Sequence, residues 1–316
     1  MNQLAEFLDG VIIGVPQTFE NMTVYPLCSK NGHKRAYQTL DEALAAKTFE
    51  VSEVSEGGSV PTLMVHNHGP QPVLLIVGEE LIGAKQNRVL NTSMLIPSQS
   101  DLAIPVSCVE RGRWSYRSRN FDSSVTTSHF TLRRAQTENV TSNLRTRAVY
   151  DADQTAVWRE VDRKMTASQT TSSTSALHDV YKQTEERLQA YLNAFTPNDA
   201  QGFIIAIDGE VVGADLFDHA ETFVKLWPKL IRSYALDAIE RATRREPIPA
   251  IPAAGATPKV LTDTQQFIVY AQNARDETYE SVGLGRDIRL SSDNVSGSGL
   301  LWDGRLVHAS LFNAKV

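Results

Sequence analysis

Two Asp-Gly dipeptides, each set between alternating apolar runs, constrain this chain most. Residues 203–207 and 211–217 flank Asp208-Gly209, and residues 299–312 repeat the arrangement around Asp303-Gly304. Asp-Gly supplies the positive φ angles of a tight turn, so both segments are expected as antiparallel hairpins. Upstream, short apolar runs punctuated by turn residues predict strands at 23–27, 49–54, 62–66, 73–77, 88–96 and 102–109, with a short helix at 40–46. Beyond Phe121 the texture turns to Ser, Thr and Arg and strand signals fade. Helices are predicted after Asp153 as N-cap, over 178–195, and from Asp218 along a face ending at Ile239, with Pro228 beginning or kinking the last. The Ser/Thr run 166–175 reads as a flexible connection, and 246–258, with four prolines, as a semi-rigid link. Residues 267–271 and 281–290 read as further sheet. Strands and helices in blocks, without strict alternation, predict an α+β fold: an antiparallel β-rich part at 1–120, then helices and hairpins at 121–316, packed as one composite unit.

At 316 residues the chain has room for about two domains. No apolar run approaches the roughly 18 residues of a membrane helix. Glu6 and Asp9 stand where a signal peptide carries positive charge, so a cytoplasmic protein with no membrane partner is expected. Two cysteines, Cys28 and Cys108, suit a reducing compartment. The net charge of -6 argues against extended nucleic acid as a partner. That charge is uneven. Between Lys85 and Arg147 ten basic residues face four acidic ones, leaving 21 basic against 33 acidic elsewhere, and nine of the ten are arginine, whose planar fork matches phosphate and carboxylate oxygens.

The window holds two dense polar segments. In the first, 78–92, Gly78 and Gly83 bracket Glu79 and Glu80, followed by Lys85, Gln86, Asn87, Arg88 and Asn91. Glu79 and Glu80 are candidate acids or bases, but neighbours on a regular strand face opposite sides. In the second, 104–114, Cys108 precedes Glu110, Arg111, Arg113 and Trp114. Its guanidinium groups beside an aromatic face suit a phosphate next to a base or sugar, and a basic neighbourhood is expected to lower the Cys108 pKa, making it a candidate nucleophile. A polar hairpin and a buried small residue are the structural alternatives for these segments. His66 and His68 are spaced for metal ligation, yet no third ligand accompanies them and no metal site is assigned. Gln154 and Trp158 at a helix mouth can close over a ligand, although capping and packing also explain them, and Asp215 is polar within an apolar run. Phosphate-loop, dinucleotide, nucleophile-elbow and zinc-helix motifs are absent.

Both segments, together with 23–27, 153–158, 213–217 and 226–230, resemble the ADP-ribosylglycohydrolase and rhodanese-phosphatase-superfamily-associated protein family. The resemblance implies a role near NAD-derived or ADP-ribose-like nucleotides; no cofactor is assigned. The expectation is then one pocket that binds, and hydrolyses or transfers, a small phosphate-bearing ligand. Lys85, Arg88, Arg111 and Arg113 hold phosphates, Gln86, Asn87 and Asn91 orient sugar or amide groups, Trp114 adds an aromatic face, and Glu80, Glu79 and Cys108 are the catalytic candidates. A partner-binding scaffold, a nucleic-acid binder and a homo-oligomer stay open.

Overall fold

The computed structural model describes residues 3–28, 34–244 and 258–316; of the predicted link over 246–258, residues 246–257 lie outside them and Pro258 begins a helix. In chain order the elements are α1 (Gln3–Asp9), β1 (Ile12–Ile13), β2 (Gln17–Phe19), β3 (Met22–Cys28), β4 (Gln38–Thr39), α2 (Leu40–Ala45), β5 (Phe49–Glu53), β6 (Thr62–Asn67), β7 (Val73–Leu75), β8 (Glu79–Gly83), β9 (Arg88–Leu90), β10 (Met94–Ile96), β11 (Ser100–Cys108) and β12 (Phe121–Thr127). Then follow α3 (Phe130–Arg147), α4 (Gln154–Ala167), α5 (Leu177–Gln183), α6 (Glu185–Ala194), β13 (Gly202–Ile207), β14 (Glu210–Phe217), α7 (Ala220–Arg244), α8 (Pro258–Gln272), β15 (Arg275–Glu280), β16 (Arg286–Ser291), β17 (Val295–Trp302) and β18 (Arg305–Asn313). This is the α+β class the sequence predicts. No helix among the described residues is long and apolar enough to cross a membrane.

The chain forms two compact units. The first, residues 1–33, 186–279 and 286–316, is built on a nine-stranded sheet in the order β1-β3-β13-β14-β18-β17-β16-β15, with β2 also on β3. Both predicted hairpins are present, β13–β14 and β17–β18, and Asp208, Gly209, Asp303 and Gly304 all have positive φ. Strand alternation sends Ile204, Ala206, Ala214 and Leu216 to one face, in a core with Leu4, Leu8, Phe267 and Ala271 of α1 and α8. Phe203 meets Phe223, Trp227 and Tyr234 of α7 edge-on. Pro228 lies inside α7, which runs through it. Residues 267–271, predicted as sheet, are helical: five consecutive apolar residues fit either state, and only burial of Phe267 and Ala271 one turn apart decides.

The second unit is residues 34–185, inserted between β3 and β13 in sequence, together with residues 280–285. Six antiparallel strands run β12-β8-β9-β11-β6-β5, and a single bridge, Ser52 to Asn120, joins the two outer strands. The sheet is thus a small barrel with a weak seam. A three-stranded sheet, β10-β7-β4, and α2 contribute Leu40, Val73, Leu75, Met94 and Ile96 to its core. Thr39 caps α2 in a reciprocal box with Glu42. The predicted strand over 88–96 is two strands, because between them the Asn91 side chain bonds Tyr150 O and the Ser93 hydroxyl takes the Val77 N–H. Helix α3 carried no sequence signal, and Asp153 caps α4 as predicted. The Ser/Thr run is pinned: Gly112 N–H donates to Thr174 O, and Thr174 Oγ1 donates to Glu110.

Candidate functional site

Period-two alternation decides what fills the barrel. Val51, Leu63, Ile104, Val106, Leu90, Leu81 and Phe121 point inward and form its core. The same parity continues to Glu53, Arg88 and Cys108 at the ends of β5, β9 and β11, and Cys108 sits directly opposite Arg88 in the ladder. Three polar side chains therefore stand on the apolar parity, and all are buried.

Gln86 ties two of them together, its Oε1 accepting from Arg88 Nη1 at 3.0 Å and from the Cys108 thiol at 3.2 Å. Arg88 otherwise donates only to the Asn87 and Ser59 carbonyls, at 3.5 and 3.4 Å, and lies 5.7 Å from the Trp114 ring. Its Nε finds no acceptor, and no described carboxylate comes within 4.0 Å of it. Burial lowers the Arg88 pKa, partly offset by the charges of Glu53 and Glu110. The expected activation of Cys108 is corrected here. Burial pushes its thiol up, outweighing the Glu110 backbone bond, Arg88 and Trp158, so the protonated form is favoured.

Beside this group lies a closed ionic hub. Arg113 meets Glu110 through Nε at 2.9 Å and Nη2 at 2.6 Å, and also bonds Ala84 O, Gly83 O, Ser115 O and Asn87 Oδ1. Burial alone would raise the Glu110 pKa, but hydrogen bonds from Arg113, Asn87 and Thr174 hold it below the usual range. Lys85 donates to Gly57 O and rests against the Trp114 and Tyr116 rings at 5.3 and 5.0 Å.

An open cleft of about 820 Å³ runs along the barrel seam. Glu53, Tyr116, Arg117, Arg119 and Asn120 line it, with Ser52 of the closing bridge. Arg119 is exposed with no ion pair among the described residues, and Arg117 reaches Glu110 only at 4.0 Å. Glu53 Oε1 accepts the Lys85 N–H, while its buried Oε2 has no partner. Arg117 and Arg119 belong to the arginine-rich window but not to the predicted site residues, and Glu53 and Tyr116 belong to neither. A glutamate at the inward parity of β5 was the available signal.

The other predicted site residues go elsewhere. Glu80, Val89 and Ser107 form the neighbouring ladder row, so they face the outside of the barrel, away from Arg88 and Cys108. Glu80 Oε2 accepts from Thr126 and from His178 Nδ1 at 2.9 Å. Glu79 instead accepts the Ile76 N–H. Asn91 Oδ1 accepts from Ser107 and Gln136, and Arg111 pairs with Asp162 beneath Trp158. One pocket holding every candidate is not what this fold builds: the barrel mouth gathers Lys85, Gln86, Asn87, Arg88, Cys108, Arg113 and Trp114, and Glu79, Glu80, Asn91 and Arg111 lie apart. His66 bonds Asp101 and stacks on His68, and no group of three metal-ligating side chains occurs among the described residues.

No curated protein and no solved structure matches the chain. Residues 10–312, nearly its whole length, match the ARG and Rhodanese-Phosphatase-superfamily-associated Protein domain, and the chain belongs to that family.

Proposed function

We propose that the seam cleft and barrel mouth bind a phosphate-bearing, ADP-ribose-like or NAD-derived nucleotide. The observation that carries this reading is the pair Arg117 and Arg119, two exposed guanidinium groups, Arg117 held only by a 4.0 Å contact to Glu110, beside the Tyr116 ring in a cleft of about 820 Å³ that Glu53 and Glu56 also line. That volume lies within the roughly 300 to 1,000 Å³ of small-molecule sites. Guanidinium forks suit a diphosphate, and the half-exposed Trp114 and Tyr116 rings offer stacking faces for a base. The family name, which refers to ADP-ribosylglycohydrolase proteins, supports the choice of nucleotide.

Calorimetric titration and thermal denaturation with ADP-ribose and NAD test the reading. Ligand at about 100 times its dissociation constant should stabilise the fold by ~2.7 kcal/mol. Arg117→Ala with Arg119→Ala should abolish that gain without changing the melting temperature of the free protein. No heat and no shift with either nucleotide would sink the proposal. Chromatography of the same mixtures reports whether bound nucleotide is hydrolysed or transferred.

A further inference from the structure

The two lips of the seam cleft carry opposite charges that do not meet. Ser52 pairs with Asn120 in a single antiparallel bridge, and counting outward from it sets Glu53 against Arg119 and Ser55 against Arg117. The count closes on Glu56 against Tyr116, whose hydroxyl donates to Glu56 O at 3.4 Å. The lips therefore touch at both ends, and all of these residues line the open space of about 820 Å³. Facing charges of opposite sign on adjacent strands ordinarily pair and stabilise the ladder. Here neither Glu53 nor Glu56 has a guanidinium within 4.0 Å among the described residues, Arg119 has no carboxylate, and Arg117 turns to Glu110 at 4.0 Å. Glu56, Arg117 and Arg119 are exposed, so a ligand in the cleft reaches them. Lys85, the remaining cation beside the acidic lip, is engaged by Gly57 O and the Trp114 and Tyr116 rings.

The occupant's charge follows from that arrangement. A ligand bearing only phosphates satisfies the arginine lip but brings its negative charge towards Glu53 and Glu56. A cation alone meets the reverse. A ligand that carries both signs, a diphosphate for Arg117 and Arg119 and a positive group for the opposite lip, answers both. In oxidised NAD a single ribose separates the diphosphate from a cationic pyridinium, whereas the nicotinamide of NADH is neutral and ADP-ribose has no such ring. We infer that the cleft selects the oxidised, pyridinium-bearing dinucleotide, with its positive ring on the Glu53 and Glu56 side. The inference rests on the nucleotide reading above and narrows it to one charge state of one class.

Calorimetric titration of the full chain with oxidised NAD, NADH and ADP-ribose tests it. Oxidised NAD should bind about three- to fivefold more tightly than NADH, the size expected of charge pairs at solvent-exposed positions. Glu56→Gln should narrow that ratio, and Glu53→Gln added to it should bring the two ligands level without weakening ADP-ribose. Asp303→Asn, in the β17–β18 turn of the first unit, removes the same unit of charge and should leave the ratio unchanged. If oxidised NAD has no advantage over NADH, keeps it in the double variant, or loses it equally in Asp303→Asn, the charge-sorted cleft is wrong, while binding of NADH or ADP-ribose preserves the nucleotide reading. If no nucleotide binds, both fall. Should the double variant fail to fold, the ratio in Glu56→Gln alone decides, and an unchanged ratio overturns the inference.

Discussion

Arg113 illustrates how much of the local charge is structural. Its side chain and that of Glu110 are 6% and 0% exposed, so removing one partner strands a buried charge. Arg113→Ala should cost about 3 to 5 kcal/mol, read as a large fall in melting temperature, whereas Arg119→Ala should change it little. The pH dependence has a definite sign. Glu110 titrates lower in the folded chain than its ordinary 4.5, so its contribution is present above that value and is lost as pH falls through the depressed one. Glu160, held down by His129 and Arg163 against the opposing effect of burial, adds to the same acid sensitivity. From sequence, Arg88, Arg111 and Arg113 look alike. Their fates differ because a guanidinium's role is set by the carboxylates that other strands and helices bring to it: Asp162 for Arg111, Glu110 for Arg113, none within reach for Arg88.

Among elements, helix α5 meets the barrel wall through the Tyr181 hydroxyl on Thr127 O and through one titratable contact. His178, whose side chain is 17% exposed, donates to Glu80 on β8, with Thr126 of β12 on the same oxygen and Asp179 and Lys182 nearby on α5. The hydrogen bond to Glu80, opposed by burial, raises the His178 pKa above its ordinary 6.5. Stability from the pair is therefore complete below about that pH and declines as pH rises through the folded value. Melting curves between pH 6 and 9 should slope downward, and Glu80→Gln should flatten that slope. Elements with apolar periodicity or a cap, such as α2, α4 and the two hairpins, were legible before folding. Helix α3 was not, because its buried face includes Arg133, Gln136, Thr137 and Thr141, and a polar inner face erases the 3.6-residue apolar signal. The predicted helix over 178–195 is likewise two, parted at Thr184, whose hydroxyl bonds back to Val180 O. The motif half of the site was visible as dense polar sequence. Its cleft was not, since Glu53 and Tyr116 lie 63 positions apart and meet only when β5 and the chain before β12 close the seam.

For the whole molecule, long-range pairing dominates. Strand β3 pairs with β13 over six positions although most of the second unit, residues 34–185, lies between them in sequence, so the first unit cannot complete its sheet until distant segments have met. Partly folded chains then expose strand edges for an extended time, which makes edge management matter. Along β11 one edge passes from β6 at residues 100–105 to the start of α5, where Leu177 N–H donates to Val109 O. Between them the Gln154 side chain takes the place of a strand, accepting from Cys108 N at 2.8 Å and donating to Cys108 O at 2.8 Å. Gln154→Ala should leave that edge open to a second chain, so light scattering during refolding should rise with protein concentration while the native melting temperature falls only modestly. An unchanged scattering trace would mean the edge is shielded without it. A single amide thus works as a molecular selvedge, finishing the border of the sheet so that it does not knit to its neighbour.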